Sequence, residues 1–97
     1  MSDCCKKTKH RTQEERRPLQ NRLRRIEGQV RGLEKMLDED AYCTDILTQV
    51  AAVQSALSAF SRELLDQHIR SCVVNEVRAG DEEVVTDLVN TIHKLMK

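Results

Sequence analysis

The chain has 97 residues, with one Tyr, one Phe and no Trp, so it can bury only a modest aliphatic core in a single small domain. No apolar run approaches the roughly 20 residues of a membrane span, and no apolar leader core follows the charged N-terminus, so the expectation is a soluble, cytoplasmic protein with no membrane partner. The net charge of zero conceals an asymmetry: residues 1–31 hold ten Lys/Arg against four Asp/Glu, and residues 32–97 hold six against twelve.

A basic first third on an acidic body suits a polyanion, with nucleic acid the first candidate. A solvated tail and a solvated helix face account for the same charges, and charge alone does not choose between them. The four cysteines, Cys4, Cys5, Cys43 and Cys72, lack the spacing of a small disulfide scaffold. In a reducing compartment that pattern points to metal binding or thiol chemistry.

In chain order, residues 1–16 show no apolar periodicity and read as a flexible basic tail. Cys4, Cys5 and His10 lie on it and are not expected to hold a metal tightly. The folded domain is read as residues 17–97. Pro18 suits the first turn of a helix, and Leu19, Leu23, Ile26, Val30, Leu33 and Leu37 then recur at steps of four and three, to about Glu39. Arg16 and Arg17 precede this helix, and Arg22, Arg24, Arg25 and Arg31 decorate its other faces. Gly28 and Gly32 share a face and cost up to about 1 kcal/mol each relative to Ala. Close approach of another helix explains them better than a local kink.

Residues 38–41 make a short polar connection. From Tyr42 to Ala79 there is no Gly or Pro, which predicts one helix of about 55 Å. Ile46, Val50, Val53, Leu57, Phe60 and Leu64 form its apolar stripe, widened by Leu47, Ala51, Leu65, Ile69 and Val73. So wide a stripe predicts oligomerisation. Gly80 ends this helix and Asp81 caps a third, with Glu82 and Glu83 in its first turn. Val85, Leu88, Val89, Ile92 and Leu95 supply the buried face of that third helix. The fold class is all-α, a three-helix protomer. No Cys-x-x-Cys pair and no glycine-rich cofactor loop marks an enzyme.

Cys43 opens the long helix, while His68 and Cys72 sit four apart near its other end and share a face. At 1.5 Å per residue, Cys43 and His68 are about 37 Å apart along one chain. Two antiparallel copies of the helix bring the three together. The crossing point then falls near Ala56 or Leu57, inside the small-residue run AAVQSALSA (51–59), and two-fold symmetry gives two equivalent sites. Two thiolates and one imidazole suit Cu(I), whereas Zn²⁺ needs water or a carboxylate to complete its shell. Tyr42 or Asp87 is placed to hydrogen-bond the free ring nitrogen of His68. The plainer reading makes each Cys a small hydrophobe and the His a filler.

The stretches NRLRRIEGQVRGLEKML (21–37) and AYCTDILTQVAAVQSAL (41–57), with the set Cys43, His68 and Cys72, resemble the copper-sensitive operon repressor (CsoR) family of bacterial transcriptional repressors. The resemblance covers residues 19 to about 95. It implies antiparallel dimers assembled into a homotetramer, a dimer of dimers. It implies Cu(I) held by Cys43 of one protomer with His68 and Cys72 of the other, and operator DNA bound by the metal-free form and released on copper binding. Tyr42 matches the family's tyrosine beside the ligands, and Asp87 aligns with its outer glutamate only across a one-residue deletion. Of the family's DNA-contacting arginines, Arg22 has a match, and Arg62 stands one turn from the other position. Phosphate contacts by Arg16, Arg17, Arg22, Arg24, Arg25 and Arg31 of several protomers are expected to supply much of the affinity. The competing readings are a copper-buffering protein without DNA binding and a sister-group sensor of another metal or thiol-reactive species.

Overall fold

The computed structural model describes residues 11–96, and every regular element among them is helical. Helix α1 spans Gln13–Asp38, α2 spans Cys43–His68, a single π turn covers Ile69–Val73, α3 spans Val74–Arg78, and α4 spans Glu83–Leu95. The all-α expectation holds. The chain divides into two compact units, residues 12–64, and residues 65–96 together with Arg11.

In the first unit, α1 begins earlier than the apolar periodicity predicts. Thr12 caps it in a reciprocal box: the Glu15 N–H donates to Thr12 Oγ1 at 3.1 Å, and the Thr12 N–H donates to Glu15 Oε1 at 3.0 Å. Residues 13–16 are therefore helix rather than tail. The cap is built from polar residues, which the apolar pattern does not register. Pro18 consequently lies inside the helix rather than in its first turn, where it cannot donate to the Glu14 carbonyl.

The end of α1 is a Schellman motif. The Ala41 N–H reaches the Met36 carbonyl at 2.9 Å and the Asp40 N–H reaches Leu37 at 3.2 Å. Asp40 takes the left-handed conformation, φ 54°, in the place glycine usually fills. This tight turn doubles the chain back, and an ion pair between Arg22 on α1 and Glu63 on α2, at 4.0 Å, joins the helices far from the turn. Leu19 and Ile26 of α1 and Val53 of α2 are buried. Leu23, Val30 and Leu37 from the α1 stripe, and Leu47 and Leu57 of α2, stay exposed. A Cβ placed on Gly28 or Gly32 meets no atom within 4 Å, so the close helix approach expected there is not supplied by the described residues.

In the second unit the long helix continues, but not as uniform α-helix. In the π turn the Val74 N–H bonds to the Ile69 carbonyl, five residues back. Side chains add donors along this turn: Ser71 Oγ donates to the Gln67 carbonyl at 2.6 Å and Asn75 Nδ2 to the Ser71 carbonyl at 2.8 Å. At its outer edge Arg70 Nε donates to Asp66 Oδ1 at 2.8 Å, and that carboxylate raises the guanidinium pKa above its usual value. Gly80, φ 89°, closes a second Schellman motif: its N–H reaches Val77 at 3.0 Å, and the Asp81 N–H reaches Glu76 at 2.9 Å. Asp81 Oδ1 then accepts from the Glu83 N–H at 3.0 Å, capping α4 as its sequence position predicts. Helix α4 packs on α3. Cys72, Val73, Glu76 and Val84 are the buried residues of this unit.

Candidate metal centre and nucleic-acid interface

In the first unit, Tyr42 and Cys43 form the start of α2. The Tyr42 carbonyl accepts from Ile46 N–H at 3.2 Å, which makes Cys43 the first helical residue. Both side chains are open to solvent, Tyr42 at 72% of its full exposure. A thiol held at the surface on a rigid helix end is accessible to a group approaching from outside.

The second unit holds the other two predicted ligands. His68 is half-buried as the last residue of α2, and Cys72 has no exposed surface within the π turn. Ser71 Oγ lies 3.9 Å from Cys72 Sγ as a weak hydrogen-bond donor. The π turn matters to the pair, because it inserts one residue into the helical repeat at the position of Cys72. Without it, the angular offset between His68 and Cys72 is fixed by α-helical geometry; with it, the turn between them is wider. Turns of this kind occur disproportionately at functional sites. No Gly, Pro or other sequence signal announced it.

Asp87, read from the sequence as a partner for His68, is exposed on α4. The buried carboxylate of this unit is instead Glu76, 2% exposed, whose Oε1 has no hydrogen-bond partner among the described residues. The sequence held a signal for it. Ile69, Cys72, Val73 and Glu76 occupy the spacing of an apolar stripe, and a charged residue in such a stripe is out of pattern. Among the described residues, no three His, Cys, Asp or Glu side chains converge where a metal ion could be held. The chain thus presents an accessible thiol at one end of α2, and a His/Cys pair with a buried carboxylate at and beyond its other end.

The arginines read as candidate DNA contacts lie on α1 and α2. Arg16, Arg17, Arg24, Arg25 and Arg31 are exposed along α1, and Arg62 is exposed on α2. Arg22 is half-buried against Glu63. A partly exposed ion pair of this kind contributes about 1 kcal/mol at most. Beside these arginines, Leu23, Ile26, Glu27, Val30 and Arg31 line an open apolar groove on α1.

An all-helical chain with soft thiol and imidazole donors and an arginine-lined helix is the combination expected of a metal-responsive DNA-binding protein. Residues 15–94 match the metal-sensitive transcriptional repressor family, and the chain belongs to that family. It is 40% identical to the copper-sensing transcriptional repressor CsoR of Bacillus subtilis, across 91% of this chain and 88% of that protein. It is 54% identical to the copper-sensing repressor RicR of Mycobacterium tuberculosis over a shorter stretch, 61% of this chain and 62% of that one. Among solved structures it resembles the copper-sensing repressor CsoR with Cu(I) from Geobacillus thermodenitrificans, with a TM-score of 0.86, 42% identity, and 91% and 93% of the two chains covered. It also resembles the nickel-responsive regulator InrS, with a TM-score of 0.73, 36% identity, and 87% and 96% covered.

Proposed function

We propose that this chain is a Cu(I)-responsive transcriptional repressor whose metal sites form between two copies, with Cys43 of one meeting His68 and Cys72 of the other. The observation that carries this reading is the placement of the donors at opposite ends of one helix. Cys43 is the first residue of α2, His68 is its last, and Cys72 is buried one turn beyond. An antiparallel partner satisfies both ends at once, and the exposed apolar residues Leu47 and Leu57 give its helix a surface to cover.

The donor chemistry fits the metal. Two thiolates and an imidazole form a soft set that favours Cu(I) over the harder divalent ions, and the burial of Cys72 keeps one thiolate out of water. When bound, Cu(I) supplies a cross-link between the start of α2 in one chain and the π turn of the next. His68 orients its donor nitrogen through the last turn of α2. Cys72 is positioned by the π turn, and Tyr42, next to Cys43 in sequence, would hydrogen-bond the imidazole of the partner site.

DNA binding falls to the arginines. In the metal-free form Arg16, Arg17, Arg24, Arg25 and Arg31 of several protomers lie along phosphates, with Arg22 exchanging Glu63 for a phosphate and Arg62 adding to the same charge. With Cys43 of one chain and His68 and Cys72 of the other holding the metal, the two α2 helices would be tied in one arrangement, in which the arginine rows would no longer match the duplex. The switch is a coupling free energy of about 1–3 kcal/mol, equivalent to roughly 5- to 150-fold weaker DNA binding with metal. The protein so described is a regulator rather than an enzyme, and its working form is an oligomer of antiparallel dimers.

The test uses genomic fragments retained by the metal-free protein in moderate salt, then re-assayed with Cu(I), Ni²⁺ and Zn²⁺. Release by Cu(I) at the lowest free metal concentration is expected. Release by Ni²⁺ alone favours the nickel-sensing alternative that the likeness to InrS brings with it. Retention of no DNA by the metal-free protein leaves a metal-buffering role and overturns the repressor reading.

A further inference from the structure

Helix α1 sorts its charges by face. Successive residues of an α-helix are rotated by about 100°, which sets Arg17, Arg24 and Arg31, at intervals of seven, along one edge of a sector and Arg25 along the other. Lys35 continues the first row one turn beyond Arg31. Glu27 and Glu34 fall outside the sector, on the side of Leu23 and Val30. All five cations are exposed. Among the described residues none of them makes an ion pair, not even Arg31 with Glu27 four residues before it. Arg31 and Lys35, also four apart, repel each other. A face so charged is unfavourable until anions approach it.

Gly28 and Gly32 lie between the two edges of this sector. Each costs up to about 1 kcal/mol relative to Ala in a helix interior, and a Cβ on either would meet nothing within 4 Å among the described residues. The result is a strip of bare helix backbone with cations on both sides, which a partner can approach more closely than any side chain would allow. Charge decides what that partner is. The same face of a second α1 would set like charges against like. The other helices offer no matching acidic row: α2 carries Asp45, Glu63 and Asp66 in 26 residues, and α4 carries Glu83 and Asp87. A continuous polyanion does match, and the chain belongs to a family of transcriptional repressors.

We propose that this face seats one sugar–phosphate strand of duplex DNA, with the phosphates passing over Gly28 and Gly32 and with Lys35 as a contact beyond the arginines. This rests on the repressor reading. From Arg17 to Lys35 the strip runs about 27 Å at 1.5 Å per residue. Backbone contacts of this kind fix how a protein sits on the duplex and carry no base sequence. The two glycines therefore set affinity and register, and the choice of operator lies elsewhere.

The experiment titrates a labelled genomic fragment, one retained by the metal-free wild type, with full-length protein across a salt series. Gly28→Ala/Gly32→Ala is expected to weaken DNA binding about tenfold or more, while its sedimentation is unchanged and its denaturant midpoint is equal or higher. In Lys35→Ala the slope of log affinity against log salt becomes shallower by about 0.9, one phosphate's worth. Unchanged affinity in the glycine variant, or an unchanged slope in Lys35→Ala, overturns the proposal. So does a loss of DNA binding accompanied by a shift to smaller species, which makes the glycine strip a seat for a second copy. A wild type that retains no fragment overturns the repressor reading and the proposal with it, whereas failure in the variants alone leaves the repressor reading standing.

Discussion

At the scale of single residues, the chemistry concentrates in side chains whose exposure matches their task. Cys43 is open and Cys72 is closed, which suits the proposed roles of a ligand offered to a partner and one held ready for it. Cys72→Ser replaces a soft thiolate with a hard hydroxyl and is expected to lower Cu(I) affinity on the order of 100-fold or more, measured by competition with a Cu(I) chelator. Two backbone positions carry a stability prediction of opposite sign. Asp40 adopts a left-handed conformation, φ 54°, with open solvent around it, so Asp40→Gly relieves strain and raises stability by about 0.5–1 kcal/mol. Gly80, φ 89°, already fits, and Gly80→Ala lowers stability by about 1 kcal/mol or more. Denaturant midpoints of the two variants, moving in opposite directions, check the pair.

At the scale of elements, the π turn sets the offset between His68 and Cys72. Ser71 Oγ meets the Gln67 carbonyl just before the turn, and Asn75 Nδ2 meets the Ser71 carbonyl within it. Removing both donors in Ser71→Ala/Asn75→Ala favours regular α-helix and shifts Cys72 relative to His68. Cu(I) affinity is then expected to fall at least about tenfold while helix content by circular dichroism stays unchanged. The start of α1 makes a separate prediction. Thr12→Ala removes one half of the capping box, costs about 1 kcal/mol, and frays the turn that carries Arg16 and Arg17. Hydrogen exchange at the Glu15 and Arg16 amides reads that fraying directly.

At the scale of the whole molecule, one chain buries few side chains for its length. Leu23, Val30, Leu37, Leu47 and Leu57 remain exposed in one unit, and Val85, Val89 and Leu95 in the other. Replacing Leu47 and Leu57 together by Glu is expected to shift the protein to smaller species in analytical ultracentrifugation and to remove tight Cu(I) binding in the same variant, since the proposed site needs two copies. The arginine rows predict a steep salt dependence of DNA binding. In Arg24→Ala/Arg25→Ala the slope of log affinity against log salt becomes shallower by about 0.9 for every phosphate these two side chains neutralise. Gly28 and Gly32 belong to this scale too. No described residue fills the space beside them, so Gly28→Ala raises helix stability by up to about 1 kcal/mol unless a partner molecule approaches there. A loss of assembly or DNA binding in that variant identifies such an approach.

The sequence by itself determined the helical class, the stops at Gly80 and near Asp40, and the cap at Asp81. Each of these is local: a 3.6-residue apolar period, a residue that tolerates positive φ, a side-chain oxygen at a helix start. The early start of α1 was legible too, in Thr12 and Glu15, but only to a reading that weighs polar caps with apolar repeats. Tertiary structure decided the rest. It settled that Glu76 and not Asp87 is the buried carboxylate, because burial depends on which face a neighbouring helix covers. It also placed a π turn at Cys72, because the competition between four- and five-residue hydrogen bonds turns on packing and on donors such as Ser71 and Asn75, energies too small and too distributed for a local pattern to reveal.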